Sequence, residues 1–270
     1  MVQNTIFFIL LSQIISRKVK IKVHPNYKEQ EKAVQKLVET FFKKGKILVK
    51  GSRNIIKTNL LGDDDVNIKF FKKPGFFKSI IYTYFKETKA KRSYDYACYL
   101  VEKNILTPSP IAYAEERKNF GLLGNSFYIS EQIHYDFTFR ELIHNPLFPN
   151  RVLILEQFAE FTFRLHEAKI NFLDHSPGNT LIVKKDDDHY DFYLIDLNRM
   201  KFEELSLEQR MDNFKKLWLS KRMVEVIAMR YAFLSGESEP KLRSILMKKS
   251  LAFKRKTARK KYFKKFIGKK

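Results

Sequence analysis

The chain has 270 residues and a formal net charge of +22, from 52 Lys and Arg against 30 Asp and Glu. This length is enough for one bilobal domain or two small ones, each with a core. A single cysteine, Cys98, excludes an intramolecular disulfide framework and a cysteine-based metal site. The six histidines are scattered without metal-ligand spacing, which argues against a zinc site.

The charge is concentrated at one end of the chain. Residues 241–270 contain 14 Lys or Arg and no acid, which leaves a charge of +8 for the rest. We therefore expect a moderately basic body with a strongly basic tail. Such a balance implies an anionic partner, which is a nucleic acid, a membrane surface or a phosphorylated substrate.

An apolar run, Thr5–Ile15, lies near the start and is followed by the basic cluster Arg17–Lys22. It is shorter than the roughly 20 apolar residues that span a bilayer, and no small-residue cleavage site follows it. We interpret residues 1–18 as an apolar extension, in preference to a signal peptide or a short membrane-touching anchor.

The first half of the sequence predicts a helix and then strands. Tyr27–Lys44 has the spacing of an amphipathic helix that ends near Gly45. Two strand-like runs follow, Ile47–Lys57 and Val66–Phe71, and the Asp63–Asp65 triplet before the second predicts a hairpin turn. Residues 77–103 have a helical pattern rich in Tyr, Phe and Lys, which Pro108 and Pro110 end.

The second half predicts mainly helices around one hairpin. Its expected elements are a strand at Phe127–Ile133, a helix at Arg151–Ala168, hairpin strands at Thr180–Val183 and Tyr190–Ile195, and helical structure from Ser206 to Gly236. The Ser206–Gln209 sequence fits a capping box. Strands first and helices later indicate an α+β fold with two lobes. We expect an N-lobe at 19–130, a C-lobe at 131–240 and a basic tail at 241–270.

Three acceptor side chains surround the predicted hairpin. Asp174 lies in the loop before it, Asn179 follows five residues later, and Asp196 ends the second strand after an apolar run. Phosphoryl transfer uses such a set, because one carboxylate orients the attacking hydroxyl and accepts its proton. A second carboxylate and an amide oxygen hold the Mg²⁺ ions that bridge the phosphates. The alternative is two ordinary loops with turn-forming Asp and Asn.

Upstream features support a nucleotide site. Lys69 lies in mid-strand, where a lysine that reaches phosphates would be explained, although an outward lysine on an edge strand is the alternative. An acid on the 77–103 helix should pair with it, with Asp95 as first choice and Glu87 as second. The turn Gly51-Ser52-Arg53 could hold a triphosphate by its backbone N–H groups, or could be an ordinary hairpin turn.

Two segments of this sequence resemble a known family. Residues 173–182 (LDHSPGNTLI) and 192–200 (FYLIDLNRM) are similar to the lipopolysaccharide kinase (Kdo/WaaP) family, which includes Kdo and heptose kinases. The resemblance covers about residues 20–265 and is most specific in the catalytic segment. It implies a protein-kinase-like fold: a small β-rich N-lobe and a reduced helical C-lobe.

The resemblance also implies an activity and its residues. Family members transfer a phosphoryl group from ATP to a sugar hydroxyl of the lipopolysaccharide inner core, on the cytoplasmic side of the inner membrane. Asp174 then resembles the catalytic base, and Lys69 resembles the phosphate-binding lysine. Asn179 and Asp196 resemble the metal ligands. Residues Glu131 to Ile133 resemble the hinge that contacts adenine through the backbone.

Some positions depart from protein kinases. Phe172 stands at the position of the catalytic-loop histidine, and Asp196-Leu197-Asn198 replaces D-F-G. The expected lysine partner, Asp95, is shorter than the usual Glu. His175, beside Asp174, is interpreted as a loop residue, with a substrate contact as the alternative. No A-P-E sequence follows Asp196, which argues for a small-molecule or glycolipid acceptor.

The basic tail predicts a second role. Phe263, Phe266 and Ile267 have the spacing of one helix face among lysines, so we expect an amphipathic helix on an anionic membrane. A solvated tail and nucleic-acid binding are alternatives, of which nucleic acid is disfavoured. The sequence thus predicts an ATP- and Mg²⁺-dependent sugar kinase with a lipid-linked acceptor, peripheral on the inner face of the inner membrane. The rival functions are an atypical protein kinase, a small-molecule phosphotransferase, and a non-catalytic kinase-like protein that binds membrane or nucleic acid.

Overall fold

The chain divides into two units in the computed structural model, which describes residues 18–52, 54–117 and 121–267. The sheet unit ends at Ile133 and lacks Leu100–Thr107, which belong to the helical unit with the residues from His134 onward. The apolar run Thr5–Ile15 and the candidate Arg53 lie outside the described residues. The chain changes from a strand-rich unit to a helix-rich unit, as predicted.

The sheet unit is built on antiparallel strands. Its described strands form a six-stranded sheet in the order β1-β5-β6-β4-β3-β2. The strands are β1 (Lys18–Val23), β2 (Lys46–Lys50), β3 (Asn54–Leu61), β4 (Asp64–Phe71), β5 (Pro110–Arg117) and β6 (Leu123–Glu131). The helices are a 3₁₀ turn (Pro25–Gln30), α1 (Glu31–Thr40), α2 (Phe76–Tyr84) and α3 (Lys89–Glu102).

The β3–β4 hairpin sets the register of the central strand. Gly62 and Asp63 make the turn, with Gly62 at φ of +64°, a conformation that glycine adopts without strain. The predicted turn over Asp63–Asp65 is wrong in part, because Asp64 and Asp65 already belong to β4. β4 lies between β3 and β6, so Lys69 pairs with Ile56 on one side and Tyr128 on the other. The alternative of an edge-strand lysine is therefore wrong.

Helix α1 covers one face of the sheet through aromatic packing. Its C-terminal Phe41 stacks against Phe70 and Phe127, with ring centroids 5.4 and 5.5 Å away. Buried Lys57 donates to the carbonyls of Phe41 and Lys44, at 2.7 and 2.9 Å. These bonds satisfy carbonyls that have no helical partner, because α1 ends at Thr40 and does not reach Lys44 as predicted.

The helix predicted over 77–103 is two helices, α2 and α3. Thr88 interrupts it: its hydroxyl accepts from the Lys91 N–H and donates to Glu115 of β5 at 2.6 Å. A Thr side chain that bonds the first turn starts a new helix, as N-cap residues do. The periodicity of the sequence did not reveal this break.

The helical unit contains small sheets surrounded by helices. Its described strands form the three-stranded order β10-β9-β7 and the pair β11-β8. The strands are β7 (Phe137–Thr138), β8 (Ile170–Phe172), β9 (Thr180–Lys184), β10 (Tyr190–Leu194) and β11 (Met200–Phe202). The helices are α4 (Phe139–His144), α5 (Arg151–Glu167), α6 (Leu207–Asn213), α7 (Lys221–Ser235) and α8 (Glu239–Ile267), with 3₁₀ turns at Pro177–Asn179 and Phe214–Leu217.

Local signals in the sequence place the helix ends correctly. Ser206 and Gln209 form the predicted capping box at the start of α6. Gly236 ends α7 in the left-handed conformation, as predicted. Between them the helical pattern breaks at Trp218, whose φ is +59°. None of the described helices is long and apolar enough to cross a membrane.

Helix α8 begins as part of the helical unit. Leu242, Leu246 and Ser250 are buried, and Lys254 donates to the Leu219 carbonyl at 2.7 Å. The predicted boundary at 241 therefore falls inside a packed helix, and not at the start of a separate tail. The first part of α8 has apolar residues at every third or fourth position, and these pack against the helical unit. Lysine and arginine also occur in this part, as they do in the exposed C-terminal end of the helix.

Phe158 on α5 is the centre of the helical core, and we predict that Phe158→Ala is strongly destabilising. It is fully buried, and its ring lies 4.4 Å from Phe139 and 5.6 Å from Phe192, centroid to centroid. The cavity should cost about 3–5 kcal/mol in the free energy of unfolding, measured by urea denaturation. Phe233→Ala on α7, where the side chain is exposed, should cost less than about 1 kcal/mol. Equal losses in the two variants would contradict this account of the core.

Candidate active site

Asp174 follows strand β8 in a loop of the helical unit. β8 pairs with β11, and the Leu173 N–H donates to the Arg199 carbonyl at 3.0 Å, so the loop is joined to the segment after Asp196. Asp174 Oδ1 lies 3.1 Å from Lys216 Nζ, and Oδ2 lies 3.3 Å from Arg199 Nη1. Two cations therefore fix both oxygens of a carboxylate that is still partly open to solvent.

Sequence reasoning missed both of these cations. Arg199 follows Asp196 by only three residues, so the motif around Asp196 could have drawn attention to it. Lys216 is 42 residues from Asp174, in the 3₁₀ turn after α6, and nothing local marks it. Its ammonium also donates to the Leu173 carbonyl at 2.6 Å, so Lys216 binds the loop as well as the carboxylate.

Asn179 is held beside Asp174 by its own amide. Its Nδ2 donates to the Asp174 carbonyl at 2.8 Å, and its backbone carbonyl accepts from the Ile195 N–H at 3.0 Å. Because the nitrogen end of the amide is bound, the oxygen Oδ1 is the end left for a ligand. Asn179 and Asp196 lie at the same end of the β9–β10 ladder, since Thr180 pairs with Leu194.

Asp196 adopts a left-handed backbone conformation with φ of +60°, which is uncommon for a residue other than glycine. The Nδ2 of Asn198 donates to its Oδ1 at 2.6 Å. A residue held in this conformation by its surroundings is typical of a functional site. The structure thus brings Asp174, Asn179 and Asp196 to one end of the hairpin, as the sequence predicted.

The donor set suits a magnesium–phosphate ligand better than a metal site built from protein alone. In the part of the chain that the structure describes, no three His, Cys, Asp or Glu side chains cluster as metal ligands. A carboxylate and an amide oxygen beside a second carboxylate are hard oxygen donors. Mg²⁺ takes few protein ligands of this kind and completes its shell with phosphate and water.

His175 is a buried residue, and the alternative of a substrate contact is wrong. Its ring packs against Phe158, Phe172 and Phe214. Nδ1 lies 2.8 Å from Asn213 Oδ1, which accepts, so Nδ1 carries the hydrogen. Phe172, at the position of the usual kinase histidine, contributes its ring and its carbonyl to this support.

Asn213 connects the same cluster to the loop backbone. Its Nδ2 donates to Asn171 Oδ1 and to the Phe172 carbonyl, each at 3.0 Å. Burial lowers the pKa of His175 from 6.5 to about 4, against a raising effect of the bond to Asn213. The imidazole is therefore neutral at physiological pH, and it supports the Asp174 loop as an uncharged hydrogen-bond donor.

The sheet unit carries the predicted nucleotide residues. Lys69 is partly buried on β4, with Nζ 5.6 Å from the centroid of the Phe71 ring. The expected pairing with Asp95, or else with Glu87, stays a prediction. Both carboxylates bind Lys91, at 2.6 and 2.5 Å, because four-residue spacing places the three side chains on one helical face.

Gly51 and Ser52 form the turn between β2 and β3. The Gly51 N–H donates to the Asn54 carbonyl at 2.9 Å, so this amide closes the hairpin. A Cβ at Gly51 would lie 2.7 Å from Asn54 Oδ1, so the Asn54 side chain would have to move. The hairpin turn uses the N–H of Gly51, and phosphate contact stays a prediction for Gly51 and Ser52.

Glu131 and Ile133 lie where the chain leaves the sheet unit. Glu131 ends β6, its N–H donates to the Ser109 carbonyl at 3.0 Å, and its carboxylate accepts from the Tyr27 hydroxyl at 2.7 Å. Ile133 is the last residue of this unit. Their position along the chain fits a segment that connects two lobes.

Comparisons with known proteins identify the family and the fold. The model of the lipopolysaccharide kinase (Kdo/WaaP) family matches residues 72–232. A solved structure described as WaaP in complex with acyl carrier protein matches with a TM-score of 0.59 and 15% identity, covering 87% of this chain and 99% of that one. This likeness shows a shared fold.

A second solved structure, an ATP-soaked Stt7 homolog from Micromonas algae, matches with a TM-score of 0.41 and 14% identity over 58% of this chain and 49% of that one. No curated protein sequence matches the chain.

We predict that His175 makes the stability of the protein depend on pH. The unfolded state binds the proton near pH 6.5 and the folded state near pH 4, so stability falls as the pH decreases between these values. His175→Gln should therefore reduce the loss of unfolding free energy between pH 7.5 and pH 5 by about 2 kcal/mol. Urea denaturation at both pH values measures this difference. Exposed His189→Gln is the control, and an equal effect there would contradict the assignment.

Proposed function

Because the chain belongs to the lipopolysaccharide kinase (Kdo/WaaP) family, and is therefore a phosphotransferase with an alcohol acceptor, we propose that it phosphorylates an inner-core sugar of lipopolysaccharide. The acceptor is a hydroxyl of a Kdo or heptose residue, and ATP is the donor. The observation that carries the proposal is the arrangement of Asp174, Asn179 and Asp196 at one end of the β9–β10 hairpin.

Asp174 acts as the base in this proposal. Its carboxylate is partly exposed, and it can accept a hydrogen bond from the sugar hydroxyl and then the proton as the oxygen attacks. Lys216 and Arg199 hold its two oxygens in one orientation. They also place two positive charges beside the point of attack, where the transferred group carries negative charge.

Asn179 and Asp196 are the proposed metal ligands. The Asn179 amide is oriented by its bond to the Asp174 carbonyl, which leaves Oδ1 as the ligand atom and ties the metal site to the base. Asn198 orients Asp196 in the same way. Mg²⁺, if held by Asn179 and Asp196, would neutralise negative charge on the phosphates.

The sheet unit supplies the proposed nucleotide contacts. Lys69 lies on an interior strand, which fixes its backbone on both sides, and we assign it to the phosphates. We also assign Ser52, in the β2–β3 turn, to the phosphates, and the backbone of Glu131 to Ile133 to adenine. Asp95, which also binds Lys91, remains the proposed partner of Lys69.

The segment after Asp196 favours a small acceptor over a peptide. β11 begins at Met200 and α6 at Leu207, only eleven residues beyond Asp196. Protein kinases bind peptide substrates with a long activation segment at this position. A glycolipid that projects its sugar from a membrane needs no such platform.

The end of α8 supports a peripheral position at the inner face of the inner membrane. Beyond Lys254 the helix carries mostly Lys and Arg, together with exposed Tyr262, Phe263 and Phe266. The rings of Tyr262 and Phe266 lie 4.9 Å apart, centroid to centroid. Aromatic rings among lysines are typical of helices that lie on anionic lipid, where each nearby cation contributes about 1 kcal/mol.

We predict that Asp174→Asn and Asp196→Asn fail at different steps. Asp174→Asn should lower turnover about 100-fold or more and leave MgATP affinity nearly unchanged, because it removes the base alone. Asp196→Asn should also lose the magnesium-dependent part of ATP affinity. Calorimetry measures binding, and mass spectrometry of the lipopolysaccharide core measures the product in cells that carry each variant.

Asp188→Asn, in the exposed β9–β10 turn, is the matched control and should retain activity. Full phosphorylation of the core by Asp174→Asn would overturn the assignment of the base. An unaltered core in cells that lack the protein would overturn the proposed acceptor.

We predict that the end of α8 binds anionic vesicles by charge. Replacing Lys260, Lys261, Lys264 and Lys265 with Gln should abolish most binding to phosphatidylglycerol vesicles in co-sedimentation, since about 4 kcal/mol of attraction is removed. Replacing the same residues with Arg should preserve it. Activity on a soluble acceptor analogue should survive in both variants, and unchanged vesicle binding by the Gln variant would refute the role.

A further inference from the structure

Helix α2 faces the sheet with its polar side. Ser79 is buried, and its hydroxyl donates to the Leu123 carbonyl of β6 at 2.8 Å. Thr83, one turn later, accepts from the Leu123 N–H at 3.2 Å and donates to the Ser79 carbonyl at 2.7 Å. Two small hydroxyl residues thus anchor the helix, where most surface helices use apolar residues.

The opposite side of α2 exposes aromatic rings. Phe77 is 80% exposed and Phe85, directly after the helix, is 81% exposed, and Phe76, Ile81 and Tyr84 are also exposed. Leaving so many large apolar side chains of one short helix in water costs free energy. A contiguous patch of this kind marks a binding surface.

Lysines surround this patch. Residues 72–86 contain Lys72, Lys73, Lys78 and Lys86 and no acid. Next to α2 is a cavity of about 290 Å³, lined by Lys72, Lys73, Lys78, Lys89 and Ser126 among others. Ser52, assigned above to the nucleotide phosphates, also borders this cavity and is not part of the lipid site proposed below. None of the described residues that line it is acidic. Ammonium and hydroxyl groups around one cavity are typical of a site for a phosphate.

We propose that α2 and the lysine cavity form a lipid-docking surface. The aromatic side chains enter the interface of an anionic bilayer, and the lysines bind the phosphate of a lipid headgroup. Exposed Phe with flanking Lys is the composition of helices that lie in that interface. The positive charge of the patch complements anionic lipid and opposes a second copy of the same patch. This surface goes beyond the proposed kinase function and is separate from the end of α8.

Vesicle binding tests the aromatic part of this surface. Phe77→Ser with Phe85→Ser should weaken binding to phosphatidylglycerol vesicles roughly tenfold, because two rings no longer leave water. Phe233→Ser, which changes an exposed ring on α7, should leave binding unchanged. Because the substituted positions are exposed, both variants should stay folded, and circular dichroism is the measurement that checks this.

A fluorescence measurement reports insertion directly. Trp218 is the one tryptophan of the chain, so Trp218→Phe provides a silent background. In it, the indole of Phe77→Trp should shift to the blue on phosphatidylglycerol vesicles and be quenched by brominated lipid. The indole of Phe233→Trp should do neither. No shift at either position would overturn the proposal.

Charge variants test the cavity. Lys73→Gln with Lys78→Gln should weaken binding to phosphatidylglycerol vesicles several-fold, whereas Lys32→Gln with Lys36→Gln on α1 removes equal charge and should change it little. Equal losses in the two pairs would overturn the cavity as a site. If inorganic phosphate displaces the protein from these vesicles as effectively as added vesicles do, the cavity binds free phosphate. That result would also overturn the lipid site.

If a protein and not a lipid occupies the α2 surface, these experiments give different results. If Phe77→Ser with Phe85→Ser changes a dimer to a monomer, or abolishes binding of acyl carrier protein, while vesicle binding is unchanged, the surface is a protein interface and the proposal is overturned. If only the α8 lysine variant loses vesicle binding, membrane attachment by α8 stands and the α2 surface fails. Core phosphorylation is measured separately, so failure of the kinase assignment leaves this test intact.

Discussion

The buried hydrogen bond between His175 and Asn213 is the constraint on which the active-site loop depends. It lies among phenyl rings, where a buried charge would be costly, so the imidazole stays neutral, and its Nδ1 is held by the bond to Asn213. Asn213 extends the bond to the backbone at Phe172, two residues before Asp174. The loop runs from this buried cluster to Asp174, whose carboxylate contacts Lys216 and Arg199. A preorganised site needs a reacting group that is rigidly supported and surrounded by fixed charges. Here the His175–Asn213 bond supports the loop, and Lys216 and Arg199 supply the charges.

The positive charge of the chain serves several separate purposes. Lys216 and Arg199 act on one carboxylate, Lys57 neutralises the end of α1, and Lys254 binds the Leu219 carbonyl. These cations are fixed by partners inside their unit. The lysines at the end of α8 and around α2 are of a different kind, because they flank exposed aromatic rings. Net charge therefore indicates an anionic partner, and local contacts decide which cations meet it.

The sequence predicted those features that depend on neighbouring residues. The β9–β10 hairpin, the Ser206 capping box and the interval from Asp174 to Asn179 are local, and the structure agrees with each of them. Features that depend on contacts between distant segments were missed. Lys216 is brought to Asp174 by the fold, across 42 residues of sequence.

Helix α2 shows why amphipathic patterns carry less information than they appear to. A periodic pattern states that a helix has an apolar side, and the usual inference turns that side inward. Here two hydroxyl groups, Ser79 and Thr83, satisfy the backbone of Leu123, and that polar contact decides the orientation. The apolar side then faces outward, which water disfavours and a bilayer interface does not. In another fold the apolar side chains of α2 would pack into a core. The hydrogen bonds that anchor the helix, and not its periodic pattern, therefore decide which side faces a partner.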